Sequence, residues 1–333
     1  MGAVPASRYI FGSIPWYSFL IVSGAVIAVI LASREERRAG FRKDTVIDLA
    51  LWILPGGIIG ARLYYVAFSW DQFRDDPVSI LKVWEGGIAI YGAVIAGFLI
   101  ILLFSRRRKI PALKLCDIIA PGLILAQAIG RWGNYFNSEA YGLEITNPSL
   151  QFFPFGVLIP EAEGTAWHMA TFFYESAWNL CVFVFLMIAR RRWFRKPGDV
   201  FLFYVFLYSC GRLVIEDYRM DSLYATSSVR ISQLLSVVFC AVILILYMRR
   251  RITEGRGSRI GCVPAAASLL YTLPVIAFTL NLFIPPAGMT VGARTLFLLG
   301  YSLLSIVSLM VLYGRSGKDE VYYAIRTDEK PAV

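Results

Sequence analysis

The sequence predicts an all-α, polytopic integral membrane helix bundle, and two observations carry that prediction. Apolar residues make up 57% of the 333-residue chain and charged residues only 17%, whereas a soluble domain is about one-quarter charged. The apolar residues also fall into repeated stretches of roughly 20, the length that crosses a bilayer core of about 30 Å as a helix. Such a chain has lipid as its main solvent, and no internal repeat or low-complexity tract interrupts the pattern.

Nine stretches reach spanning length. They run from Tyr17 to Ser33, Thr45 to Phe68, Ile88 to Phe104, Leu113 to Arg131, Thr171 to Ala189, Asp199 to Tyr218, Ile231 to Met248, Val263 to Phe283 and Val291 to Tyr313. The first is followed by charge and is read as a retained span, not a cleaved signal. The segments after the first, third, fifth and seventh spans each carry five cations, among them Arg34, Arg106, Arg190 and Arg249. With four more in the tail, 24 of the 33 Lys and Arg residues lie on one side. By the positive-inside rule that side is cytoplasmic, so the N-terminus is outside and the C-terminus inside. The net charge of +10 therefore reports topology, and no nucleic-acid partner is expected.

Between the fourth and fifth spans, residues 142–170 contain Glu144, Glu161 and Glu163 but no Lys or Arg. Pro148, Pro154 and Pro160 stand among aromatics there, so this segment is expected to be a small irregular cap on the outer surface. The organisation that follows is a membrane core over 1–250 including that cap, a cytoplasmic linker over 251–262, a two-helix membrane extension over 263–313, and a cytoplasmic tail over 314–333. The five cysteines have no paired spacing, so neither a disulfide framework nor a metal site is legible.

The ionisable residues left within spans or at their outer ends are informative, because an Arg near the bilayer centre costs about 2.5 to 3.5 kcal/mol and normally faces a polar cavity with a partner. Arg62, Asp117, Arg131, Arg212, Glu216 and Arg219 form this set. Tyr208, Arg212, Glu216 and Arg219 follow four-, four- and three-residue steps and share one face of a helix. Glu216 with Arg219 reads either as a packing ion pair or as part of a site. Arg212 leaves a surplus positive charge that a bound anion would compensate.

The densest signal is Gly130-Arg131-Trp132-Gly133-Asn134-Tyr135-Phe136-Asn137-Ser138-Glu139-Ala140-Tyr141-Gly142, at the outer end of the fourth span. Its glycines permit close backbone approach, Arg131 offers a planar fork of donors to a phosphate, and Asn134 and Asn137 offer amides to ester or hydroxyl oxygens. The pattern reads as a grip on an anionic lipid headgroup. The competing reading is an interfacial cap, with Trp132 and Tyr135 in the aromatic belt and Arg131 reaching to water.

Gly130 to Gly142 resembles the G-R-x-G-N-x-x-N-x-E-x-x-G signature of the prolipoprotein diacylglyceryl transferases. The likeness extends to Trp16-Tyr17, Gly60-Ala61-Arg62, Trp84-Glu85-Gly86-Gly87, Asp117, Thr171 to Glu175, and Gly211-Arg212 with Glu216 and Arg219, covering roughly residues 10 to 250. It implies an enzyme that moves a diacylglyceryl group from phosphatidylglycerol to the thiol of the lipobox cysteine in a prolipoprotein signal peptide, releasing glycerol phosphate. Arg131 and Arg212 match the family arginines that bind the lipid phosphate. Asn134, Asn137, Glu139 and Gly142 would shape the same pocket, with Tyr17, Arg62, Glu216 and Arg219 as further substrate contacts. Where the family often has a histidine after its W-[DE]-G-G element, this chain has Tyr91. Its one histidine, His168, is out of register with the family's His-Pro and reads as an outer-loop residue. The last two spans have no family counterpart and contain almost no ionisable groups, which suits a lipid-facing or partner-docking role.

The implied reaction displaces a phosphate at carbon, so the leaving group gains a negative charge as the carbon–oxygen bond breaks. Arginines fixed in a dry site stabilise that charge, and losing one such donor costs about 10² to 10³ in rate. No cofactor is expected, as the chain lacks an Asp cluster of the kind that holds Mg²⁺. A thiol with pKa about 8.5 needs roughly 2 kcal/mol to ionise at neutral pH. The arginine field supplies that, with Tyr91 assisting or positioning. Other classes stay open: an anionic-lipid transporter or flippase, which the lack of duplicated halves argues against, and an enzyme acting on an isoprenoid phosphate.

Overall fold

The computed structural model describes residues 7–161, 164–221, 230–253, 262–279 and 291–313. Among these are nine α-helices: α1 Trp16–Glu36, α2 Thr45–Phe68, α3 Ile90–Arg108, α4 Ala112–Asn137, α5 Thr171–Arg192, α6 Asp199–Ile215, α7 Ile231–Thr253, α8 Val263–Thr279 and α9 Val291–Tyr313. Seven are long and apolar enough to cross a membrane. The other two, α6 and α8, have 17 residues each and extend about 25 Å at 1.5 Å per residue. Large apolar side chains such as Leu51, Trp52, Ile59, Leu103 and Leu303 lie exposed on the outer faces of their helices, as lipid-facing positions must. The protein is thus a multi-pass helical membrane protein.

The chain divides into two compact units. The second comprises 26–122 and 196–201. Within it α2 and α3 meet backbone to backbone, since a Cβ added to Gly60 or Gly92 would strike the opposite main chain. Glu36 accepts the main-chain N–H groups of Asp44 and Val46, both at 2.9 Å, satisfying amides at the start of α2 that have no helical partner. Asp117 does the same for α6, accepting from Gly198 at 2.6 Å and Phe201 at 2.9 Å. An intramembrane carboxylate in the expected charge set is therefore a helix cap.

The first unit contains 7–25, 123–195 and 202–313 among the described residues. Polar side chains bind neighbouring helices here: Ser176 donates to Ala128 O at 2.8 Å, Trp178 to Leu207 O at 2.9 Å and Gln233 to Leu213 O at 3.1 Å. Between α8 and α9 the Ser268 and Ser305 hydroxyls lie 2.7 Å apart, and those of Thr272 and Tyr301 3.1 Å apart. In lipid, small hydroxyl residues allow such close packing.

Two expectations are corrected in this unit. The outer segment is not irregular: β3 Gly156–Glu161 and β4 Gly164–Met169 pair antiparallel, with Pro160 opposite Thr165. In a two-stranded hairpin both strands are edges, so a proline need not remove a ladder bond. The sixth helix also stops at Ile215, a three-ten turn covers Glu216–Tyr218, and Arg219 is extended. Arg219 pairs across an antiparallel bridge with Gly142, so it leaves the helix face that its spacing suggested. A shorter hairpin, β1 Tyr9–Ile10 with β2 Ile14–Pro15, precedes α1.

Candidate active site

Glu175 is the centre of the charged cluster. It sits in the second turn of α5, only 2% exposed, and is the sole acidic residue of that helix. Arg131 of α4 approaches its Oε1 at 2.6 Å, while Arg212 of α6 approaches Oε2 at 2.8 Å. Arg219 adds a longer contact at 3.7 Å, and the Tyr208 hydroxyl donates to Oε1 at 3.3 Å. One carboxylate thus holds side by side two guanidiniums from different helices. The fifth helix supplies the link that the sequence reading placed only in a matching run, although its rule for buried charges applies equally to Glu175.

Glu216 completes the arrangement. Its Oε2 lies 2.5 Å from Arg212 Nη2 and 3.9 Å from Arg219 Nε. Arg219 also forms a two-point contact with Asp221, at 3.0 and 2.8 Å. The surplus positive charge counted along one helix is accordingly reduced by Glu175 and, at the exposed edge, by Asp221. What remains is a set of arginines fixed in direction, each with several N–H donors.

The motif around Arg131 folds over this cluster. Helix α4 runs on to Asn137, then turns through Ser138 and Ala140, which have φ of 53° and 56°. Left-handed backbone at two residues with side chains is costly and marks a tightly determined turn. It returns Glu139 to the helix, where its carboxylate accepts from the Asn134 and Asn137 amides at 3.0 and 3.2 Å. These two amides are therefore oriented by Glu139. Gly142 then donates to Met169 O at 2.8 Å, and an added Cβ would meet Met169, Thr171 and the Tyr218 carbonyl at 2.7–3.0 Å. Only glycine fits there.

Tyr17 packs against Gly133, where a Cβ would come within 3.1 Å of the Tyr17 backbone. Trp16 stacks on Phe136 with ring centroids 4.6 Å apart. The cap is tied to the same place by His168, which is buried in β4 and not in a loop. Its Nδ1 lies 2.9 Å from Gly142 O and its Nε2 2.8 Å from Glu161 Oε1.

Arg62 and Tyr91 belong to the second unit. The Arg62 guanidinium is spent on main-chain carbonyls: Ile80 at 2.9 Å, Gly86 at 2.6 Å, Gly87 at 2.8 Å and Ser79 at 2.7 Å. Tyr91 lies in the first turn of α3, its ring 6.4 Å from Tyr64.

Comparison with known proteins decides the family. The family model described as prolipoprotein diacylglyceryl transferase matches residues 6–249. The chain belongs to this family. Relatives named phosphatidylglycerol–prolipoprotein diacylglyceryl transferase include one from Enterococcus faecalis, 49% identical over 71% of this chain and 86% of the relative. One from Limosilactobacillus reuteri is 46% identical over 72% and 88%, and one from Streptococcus agalactiae 44% identical over 72% and 93%. The transferase match takes in every residue of the arginine cluster and ends before α8 and α9, leaving these helices outside it.

Proposed function

We propose that the chain transfers the diacylglyceryl group of phosphatidylglycerol to the thiol of a lipobox cysteine in a prolipoprotein signal peptide. This is the first step of lipoprotein maturation. A carbon–sulfur bond forms as the bond between the glyceryl carbon and the phosphate oxygen breaks, and glycerol phosphate leaves with one more negative charge. The observation carrying this reading is the convergence of Arg131 and Arg212 on Glu175. Cations held in place beforehand need no reorganisation as charge develops on the phosphate.

In this reading Arg131 and Arg212 bind the phosphate and stabilise the leaving group. Glu139 with Asn134 and Asn137 frames the headgroup, and Tyr17 and Gly142 set the walls. Glu216 and Arg219 orient the arginines. Arg62 contributes indirectly, by shaping the segment before α3. Tyr91 assists or positions the thiol, whose ionisation the arginine field favours. The protein resides in the bacterial cytoplasmic membrane with its N-terminus outside. Residues 1–250 form the transferase core, 251–262 a linker, and 263–313 an added helix pair.

Purified protein incubated with phosphatidylglycerol and a lipobox peptide is expected to add a diacylglyceryl mass to the peptide cysteine. Arg131→Ala and Arg212→Ala should each lose about 10² to 10³ in rate, and Tyr91→Phe much less. Formation of adduct at normal rates by either alanine variant would reject the mechanism. A Tyr91→Phe as inactive as Arg131→Ala would reverse the ranking of arginine field over tyrosine.

A further inference from the structure

Asp217 directly follows Glu216 in the three-ten turn that ends the α6 segment, and it is buried. Its carboxylate has two cationic neighbours: Arg230 Nη1 at 3.0 Å, immediately before α7, and Arg294 Nε at 2.5 Å, in the first turn of α9. Arg294 therefore reaches from the helix pair outside the family match to the residue beside a member of the arginine cluster.

Helix α9 touches α6 again about two turns further along. The Ser302 hydroxyl donates to the Cys210 carbonyl at 3.3 Å, two residues before Arg212. Leu298 and Tyr301, between the two contacts, are fully buried. The far end of α9 has its own anchors, Arg251 to Leu312 O at 3.2 Å and Tyr313 to Trp193 O at 2.7 Å.

A three-residue three-ten turn has poor hydrogen-bond geometry and little rigidity of its own. Here it must direct the Glu216 carboxylate, whose Oε2 lies 2.5 Å from Arg212 Nη2. We propose that Arg294 is a positioning residue for the transfer reaction: by holding Asp217 it fixes the turn from which Glu216 orients Arg212. The added helix pair is then a buttress of the site. This rests on the reading above that Arg212 binds the lipid phosphate.

The test uses the purified full-length chain with phosphatidylglycerol vesicles and a lipobox peptide, measuring kcat, KM for the lipid, and the thermal midpoint. Arg294→Ala should lower kcat/KM on the order of tenfold, and Arg294→Lys, which keeps a cation near Asp217, should recover most of it. Arg251→Ala, loosening the far end of α9, should lower the midpoint while leaving kcat and KM unchanged. Asp217→Asn should reproduce the kinetic loss, and the double variant with Arg294→Ala should be no worse than Asp217→Asn alone. The inference is overturned if Arg294→Ala moves only the midpoint, if Arg251→Ala causes the same kinetic loss, or if the double variant is additive. An unsubstituted chain that makes no adduct would instead sink the functional reading, and the inference with it.

Discussion

Glu175 carries a larger share of the site than its single negative charge suggests. Arginine side chains are long, and two guanidiniums brought together repel one another unless an anion stands between them. The Glu175 carboxylate does so with one oxygen for Arg131 and the other for Arg212, at 2.6 and 2.8 Å. Glu175→Gln keeps the shape but removes the charge, leaving Arg131 without the carboxylate it faces and Arg212 with Glu216 alone. Removing one partner of a fully buried pair costs about 3 to 5 kcal/mol, and these partly exposed arginines less. This variant is expected to have a lower thermal midpoint and a kcat/KM reduced on the order of 10²-fold, read by calorimetry and by the peptide mass assay. Wild-type kinetics would mean that the arginines are held without it. The sequence supplied both arginines but not this partner. Glu175 stands 44 residues from Arg131 and 37 from Arg212, and no local spacing links positions so far apart.

At the scale of elements, the membrane made the helices legible, because a spanning segment must satisfy its own backbone and expose apolar side chains. Each expected stretch coincides with a helix, but α4 runs six residues past the expected end at Arg131. The expected end of the eighth stretch at Phe283, most of the 251–262 linker and the 314–333 tail lie outside the described residues. The ends of elements were less legible where helix and turn satisfy the same spacing. The step of three from Glu216 to Arg219 suits a helical face, yet the chain there leaves the helix and Arg219 still reaches the same carboxylates. The hairpin of the cap was hidden by its prolines, which argue against strands only when both edges must pair. Arg62 illustrates a third case. Its burial and charge suggest a ligand, but its donors end on the carbonyls of Ser79, Ile80, Gly86 and Gly87. Arg62→Ala leaves these without their donor, and the segment between α2 and α3 should become more mobile. Limited proteolysis should then cut within residues 69–89 at an increased rate. Unchanged cutting would show that the three-ten turns of this segment, Trp70–Gln72, Pro77–Leu81 and Val83–Glu85, hold without the guanidinium.

For the whole molecule, topology and chemistry have to agree. The proposed reaction requires the arginine cluster to open toward the outer face of the membrane, where an exported polypeptide would present its cysteine. Arg131 lies six residues before the end of α4, about 9 Å in from the helix terminus, a depth suited to a phospholipid headgroup. The beginning of α5, with Glu175, meets the end of α6, with Arg212. Within α5 the cationic cluster Arg190 to Arg192 occupies the opposite end from Glu175, and Arg106 to Arg108 likewise close α3. If those clusters are cytoplasmic, the site faces outward. A cysteine introduced at exposed Ser149 in the cap, or at exposed Arg107 in the α3 cluster, separates the two orientations. In intact cells, a membrane-impermeant maleimide should label Ser149→Cys above the background of the unsubstituted chain. Arg107→Cys should react only after the membrane is broken. The reverse pattern would place the arginines on the cytoplasmic side, where no exported thiol reaches them, and both the orientation and the proposed reaction would fall together.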